Sequence, residues 1–142
     1  MTHIVAPAFE LFVERRDASL LELDYALLAV VSVAEGFPNN FGWPEEFQSK
    51  LKYETLRAEI SRQWPELGFY AKDPGEELGE QFSSVGDAID DLTDIALALG
   101  RSLEIAHVNN SGAVSRLRFG YDTHWCHHAA DLRKHLNWLL NK

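Results

Sequence analysis

Two stripes of polar side chains draw attention first, because their residue types bind metals or exchange protons and their spacing gathers each stripe on one helix face. At 100° per residue, His124, His128, Asp131 and His135 fall within about 60° of one another. The apolar residues of the same segment, Val114, Tyr121, Trp125, Leu132, Leu136 and Leu139, lie about 90° away, so the imidazoles belong at the boundary between core and solvent. Upstream, Asp87, Asp91 and Asp94 form a second boundary stripe with Asp90 beside it, next to a core face of Leu92, Ile95, Leu99 and Ala106. Imidazole and carboxylate together suit zinc, iron or manganese, and helical bundles build such sites from facing helices. In that reading His124 and His128, at i and i+4, coordinate a divalent metal with Asp91, Asp94 or Asp131. The other reading is mutual pairing, in which each histidine donates to a carboxylate and the pairs pin the helix register, since half-buried polar groups need partners. The H-x-x-x-H spacing here lacks the glutamate of a metalloprotease motif, and pairing is the expectation taken forward.

The two stripes meet only if their helices do. Asn109-Asn110-Ser111-Gly112 reads as a turn, with a fourth helix from about Val85 to His107 and a last one from about Ala113 to Leu140. Folded antiparallel about that turn, positions whose numbers sum to about 220 come level, which sets Asp91 and Asp94 beside the interval from His124 to Asp131. One hand of the hairpin makes the stripes converge and the other separates them.

Helical periodicity runs through the rest of the chain, without a sustained alternating stretch, so an essentially strand-free structure is expected. A first helix is expected over Ala6 to Arg16, with Phe9, Phe12 and Val13 inward. Ser19 and Glu22 have capping-box spacing, so a second helix starts near Leu20 and stops at Gly36. It is apolar almost all round between Tyr25 and Ala34, which suits the centre of a bundle. The loop from Gly36 to Pro44 carries Phe37, Phe41 and Trp43, rings that lid a core end or line a groove. Pro44 suits the first position of a third helix running to Trp64, with Tyr53, Leu56, Ile60 and Trp64 on one face. Residues 66–83 are irregular, with an acidic turn at Asp73, Glu76, Glu77 and Glu80 that reads as a solvated connector, and Ser84 with Asp87 repeats the capping spacing before the fourth helix.

Composition bounds the function classes. With 142 residues, 46% of them apolar, the chain is one ordinary domain over 1–142 that needs no staple. Cys126 is the only cysteine, which excludes an internal disulfide and a cysteine cage; it falls on the back face with Ala130, and no adjacent base makes it a nucleophile. No glycine-rich phosphate loop or serine elbow is present, so no catalytic residue is assigned. The net charge of −9 argues against nucleic acid and anionic membrane, both of which need a basic footprint. No secretory leader or membrane-spanning run is seen, so a cytoplasmic location is expected.

The sequence resembles a bacterial family of small α-helical domains of unknown function with paired signatures, approximately DDLxDI and RFxFxxHWxxHAxDALRAL. Here they read Asp90-Asp-Leu-Thr-Asp-Ile95 and Arg118-Phe-Gly-Tyr-Asp-Thr-His-Trp-Cys-His-His-Ala-Ala-Asp131. The resemblance implies a shared cluster of Asp90, Asp91, Asp94, Arg118, His124, Trp125, His128 and Asp131, for ligand binding or for structure. Cys126 stands at the family's glycine and Ala96 at its tyrosine.

The reading is an all-α antiparallel bundle of about five helices. The leading functional expectation is a non-catalytic protein-binding or regulatory module with no cofactor, whose partner carries a basic surface. The alternative is a divalent-metal protein or metal-dependent hydrolase using Asp91, Asp94, His124 and His128.

Overall fold

Ser19 accepts a hydrogen bond from the Glu22 N–H at 3.1 Å and so starts α2 (Leu20–Gly36) where the capping box places it. The computed structural model describes residues 1–38, 47–72 and 85–142. Phe41, Trp43, Pro44, Glu45 and Glu46 of the aromatic segment, the acidic turn at Asp73, Glu76, Glu77 and Glu80, and the Ser84 cap lie outside the described residues. The other elements are α1 (Thr2–Glu14), α3 (Tyr53–Gln63), β1 (Phe69–Ala71), β2 (Val85–Asp87), α4 (Ala88–Ala106), α5 (Asn110–Gly120) and α6 (Cys126–Leu140). A single π-helical turn, Tyr121–Trp125, joins α5 to α6 into one continuous rod, so five helical rods make up an all-α bundle among the described residues.

α4 occupies the centre, packing against α1, α3, α5 and α6. Twelve of its residues are buried, on almost every side. The expectation that α2 is central is corrected. α2 buries Leu23, Leu27, Val30 and Ala34 but leaves Leu21, Tyr25 and Leu28 exposed. Apolar content on all sides of α2 therefore reflects an uncovered face and not full enclosure. Gly100 lets the outer layers approach α4 closely, because a Cβ there would collide with Leu51 and lie 2.8 Å from the Phe9 ring.

Three further boundaries differ from the sequence expectations, each for a local reason. Residues 47–52 are not helical, because Glu104 of α4 accepts from the Ser49 hydroxyl and from the Lys50 N–H at 2.9 Å, holding the segment extended until Tyr53. α1 begins at Thr2, so Pro7 lies inside it and removes one backbone donor. The described residues are essentially strand-free as expected, apart from one short two-strand antiparallel ribbon that pairs Phe69, Tyr70 and Ala71 with Asp87, Gly86 and Val85. Val85–Asp87 belongs to this ribbon, so α4 starts three residues later than expected, capped by Asp87, whose Oδ1 accepts from the Ile89 and Asp90 N–H groups.

The ribbon places a tyrosine. Tyr70 is paired with Gly86, and its ring occupies the space that a Cβ at Gly86 would need. Gly86→Ala should therefore displace the ring and cost about 1–3 kcal/mol, the usual cost of overpacking. A urea melt checks this, and an unchanged midpoint would show that the ring is not held there.

Candidate metal centre

The α4–α5 turn brings the two stripes together. Asn109 caps α5 by accepting from the Gly112 N–H at 2.9 Å, which makes the expected turn residues the first turn of a helix. α4 and the long rod then run antiparallel with the hand that makes the stripes converge. His128 lies between two carboxylates, its Nδ1 2.7 Å from Asp91 Oδ1 and its Nε2 3.1 Å from Asp94 Oδ2. His124 Nε2 reaches the same Asp94 oxygen at 3.9 Å, and the two imidazole rings stand edge to face with centroids 4.8 Å apart. Ligand atoms of Asp94, His124 and His128 all lie within 4.8 Å of one another.

Burial grades the cluster from inside to outside. The Asp91 side chain is 6% exposed, those of Asp94 and His128 about a fifth, and that of His124 60%. Asp91 is further fixed by the Tyr70 hydroxyl, which donates to its second oxygen. Burial and that hydrogen bond push the Tyr70 hydroxyl well above its ordinary range, so it stays a donor. Tyr70 in turn stacks on His135 with centroids 4.7 Å apart.

Asp91 and, after it, Asp94 push the His128 imidazolium up to about 10, against the opposing effect of burial. Both ring nitrogens then donate, one to each carboxylate. The ordinary value is 6.5, so between there and about 10 the folded chain holds a proton that the unfolded chain releases. This contribution to stability is complete below pH 6.5 and is lost as pH rises through about 10. Chelator-treated protein should therefore show a falling urea midpoint from pH 7 to 10. His128→Gln should flatten that slope, and equal slopes in both proteins would contradict the pairing.

The remaining sequence-derived candidates go elsewhere. Asp90 turns toward α3, where it accepts from Tyr53, and burial together with this bond pushes the Tyr53 hydroxyl up to about 12. Ligand atoms of Asp90, Asp91 and His128 also come within 4.8 Å of one another, but both aspartates already accept from tyrosines. Arg118 points to the end of α2, donating to the carbonyls of Ala34, Glu35 and Phe37 at 2.7–3.2 Å and to Asp122 at 2.9 Å. It is a helix C-cap from a distance and no part of the cluster. Asp131 joins neither group of converging ligands. His135, expected on the boundary stripe, is buried, its Nε2 2.6 Å from the Leu67 carbonyl oxygen. It shares the His128 face but lies two turns further on, where Leu67 and Tyr70 cover it. Trp125 is fully buried, and Cys126 is half-buried with its Sγ 3.9 Å from the Asp122 carbonyl.

Sequence reasoning missed Tyr70, Arg101 and Arg116. Tyr70 sits on a three-residue strand inside an irregular stretch, too short to show a period. The two arginines flank, with Asp94 and His124, a pocket of about 240 Å³ between α4 and the long rod. Comparison with protein-family models, curated proteins and solved structures returns no match. The chemistry is therefore argued from the site alone.

Proposed function

We propose that this protein binds a divalent transition metal through Asp94, His124 and His128, with the buried Asp91 as a carboxylate that orients His128 without binding the metal itself. The observation that carries the reading is the convergence of both imidazole Nε2 atoms on one oxygen of Asp94. Two imidazoles and one carboxylate suit zinc, iron or manganese and leave coordination positions for water or a ligand. The Asp91–His128 hydrogen bond has the form of the carboxylate–histidine–metal arrangement that fixes the ring and raises ligand basicity. A metal would take the place of the Nε2 proton, so binding releases a proton and weakens in acid. Asp91 and Asp94 lie in the DDLxDI segment and His124 and His128 in the HWxxHAxD segment, so the two stretches that carry the resemblance supply the two halves of this site. A reducing cytoplasm suits the lone, half-buried Cys126 thiol.

His124 distinguishes the metal reading from simple pairing. It is 60% exposed and 3.9 Å from its carboxylate, a contact worth about 0–1 kcal/mol at a surface. His124→Gln should therefore leave chelator-treated protein almost as stable as the wild type. Zinc or manganese at a hundred times its dissociation constant should stabilise the wild type by about 2.7 kcal/mol. That gain should be lost in His124→Gln. A large loss of stability in the variant without metal, with no metal response in the wild type, would leave structural pairing as the role.

A protein-binding role is the second reading, supported by the exposed apolar stripe of Leu21, Tyr25 and Leu28 on α2. Tyr25→Asp should abolish association through that face while leaving metal affinity unchanged, and light scattering with a metal titration would read both.

A further inference from the structure

Trp125, on the wall of the pocket beside the cluster, holds a donor with nothing to donate to. Its ring is fully buried, and the indole N–H meets no acceptor among the described residues. Buried polar groups are paired almost without exception, by protein, by ordered water or by a ligand, so an orphan on a pocket wall marks where an acceptor belongs. Gly120 of the same wall leaves room for one. A Cβ there would stand 3.6 Å from the indole nitrogen and 3.5 Å from Cδ1, with no other described atom within 4 Å of that point. A ligand oxygen entering over Gly120 therefore reaches the N–H edge, and a side chain at that position would stand in its way. Asp94 and His124, two of the three proposed metal ligands, line this pocket too. Its volume of about 240 Å³ lies below the roughly 300 Å³ at which sites for drug-sized ligands begin, so its occupant is small. Leu97 and Ala98 give it an apolar side.

We infer that this pocket receives a small monocarboxylate, its oxygens shared between a metal at Asp94, His124 and His128 and the Trp125 indole N–H. The inference rests on the metal reading of that cluster. Three protein ligands leave a coordination position open to an oxygen donor. The indole N–H can only donate, so its partner must accept, and an ionised carboxylate offers acceptors alone. Charge narrows the class further. Asp94 repels an anion until a divalent cation outweighs its single charge, after which a monoanion restores neutrality. Arg101 also lines the pocket and adds positive charge to its wall. Carboxylate and metal therefore favour each other, and by linkage each raises the affinity of the other by the same factor.

Calorimetric titration with benzoate tests this, with benzamide as the neutral counterpart of similar size. It is run on manganese-loaded and chelator-treated wild type and on manganese-loaded Trp125→Phe and Gly120→Ala. Benzoate should bind the loaded wild type about tenfold or more tighter than it binds the chelator-treated protein, and tighter than benzamide binds. Trp125→Phe keeps an aromatic ring but removes the donor, and should weaken benzoate about three- to tenfold, the worth of one hydrogen bond. Gly120→Ala keeps the indole and suits a helical backbone at φ −61°, while its methyl group takes the space beside the N–H edge. It should weaken benzoate to a similar degree, with manganese affinity unchanged and a melting temperature no lower than that of the wild type. Manganese binding without benzoate binding would overturn the carboxylate pocket and leave the metal reading standing. If manganese itself fails to bind, the metal reading falls and this inference with it. Benzoate binding of equal strength with and without bound manganese would refute the coupling. Wild-type benzoate affinity in both variants would refute the role of the indole, whose N–H would then meet only a buried water. Benzamide binding as tightly as benzoate would overturn the choice of an anion.

Discussion

Replacing Asp91 with alanine is expected to destabilise the metal-free protein by about 3–5 kcal/mol, the cost of removing one member of a buried charged pair. Asp91 is the innermost group of the cluster, and it satisfies two partners at once. Its Oδ1 faces His128 Nδ1 at 2.7 Å, and its Oδ2 accepts from the Tyr70 hydroxyl. Without it, a half-buried imidazolium and a largely buried phenol lose their shared acceptor. Asp91→Asn, which keeps one acceptor oxygen but removes the charge, should recover part of the loss. Metal binding adds a second readout, because removing a carboxylate that orients a histidine ligand weakens metal affinity by about 10–100-fold. Urea melts and a metal titration of Asp91→Ala and Asp91→Asn measure both. A loss below about 1 kcal/mol, within the range of an ordinary surface change, would mean that Asp91 is solvated and not clamped.

Trp64→Ala should cost a similar 3–5 kcal/mol, by a different mechanism and with a different consequence. Trp64 ends α3 fully buried, its indole N–H donates to the Phe12 carbonyl at 2.9 Å, and the Arg15 guanidinium lies 4.1 Å from the ring centroid. Arg15 is itself locked onto Glu66 and the Gln63 carbonyl. Alanine at position 64 removes one of the contacts that tie α1 to α3, leaving a cavity and an arginine without its aromatic face. None of these bonds involves an aspartate or a histidine of the cluster. The folded fraction of Trp64→Ala should therefore bind metal with wild-type affinity, whereas Asp91→Ala should not. Matching metal losses in the two variants would mean that the site responds to global stability and has no dedicated orienting carboxylate.

The helical period carried much of this architecture in advance. Leu92, Ile95 and Leu99 are all fully buried, as are Trp125, Leu132 and Leu136, so the core faces of both site helices were legible from apolar spacing. The level-matching of an antiparallel hairpin set Asp91 and Asp94 beside His124 and His128. Its hand was not legible, because the same residues come level for either hand and spacing does not choose between them. Spacing also could not separate His128 from His135, which share a face; only the segment holding Leu67 and Tyr70 makes one a boundary residue and the other a buried one. The ribbon escaped notice because three residues are too few to display alternation. Nor does a straight-helix projection foresee the π-turn at Tyr121–Trp125, where the Cys126 N–H reaches back to the Tyr121 carbonyl. Such turns recur at functional sites, and this one carries His124.

Metal content after exhaustive dialysis tests the central claim most directly. Wild-type protein loaded with zinc or manganese should retain about one ion per chain by elemental analysis, as expected of a single three-ligand site. His124→Gln combined with His128→Gln should retain none, while its circular dichroism stays helical. A wild type that loses its metal on dialysis and melts at the same temperature with and without added metal would contradict the account. The Asp and His stripes would then be a hydrogen-bonded clasp between α4 and the last rod of the bundle.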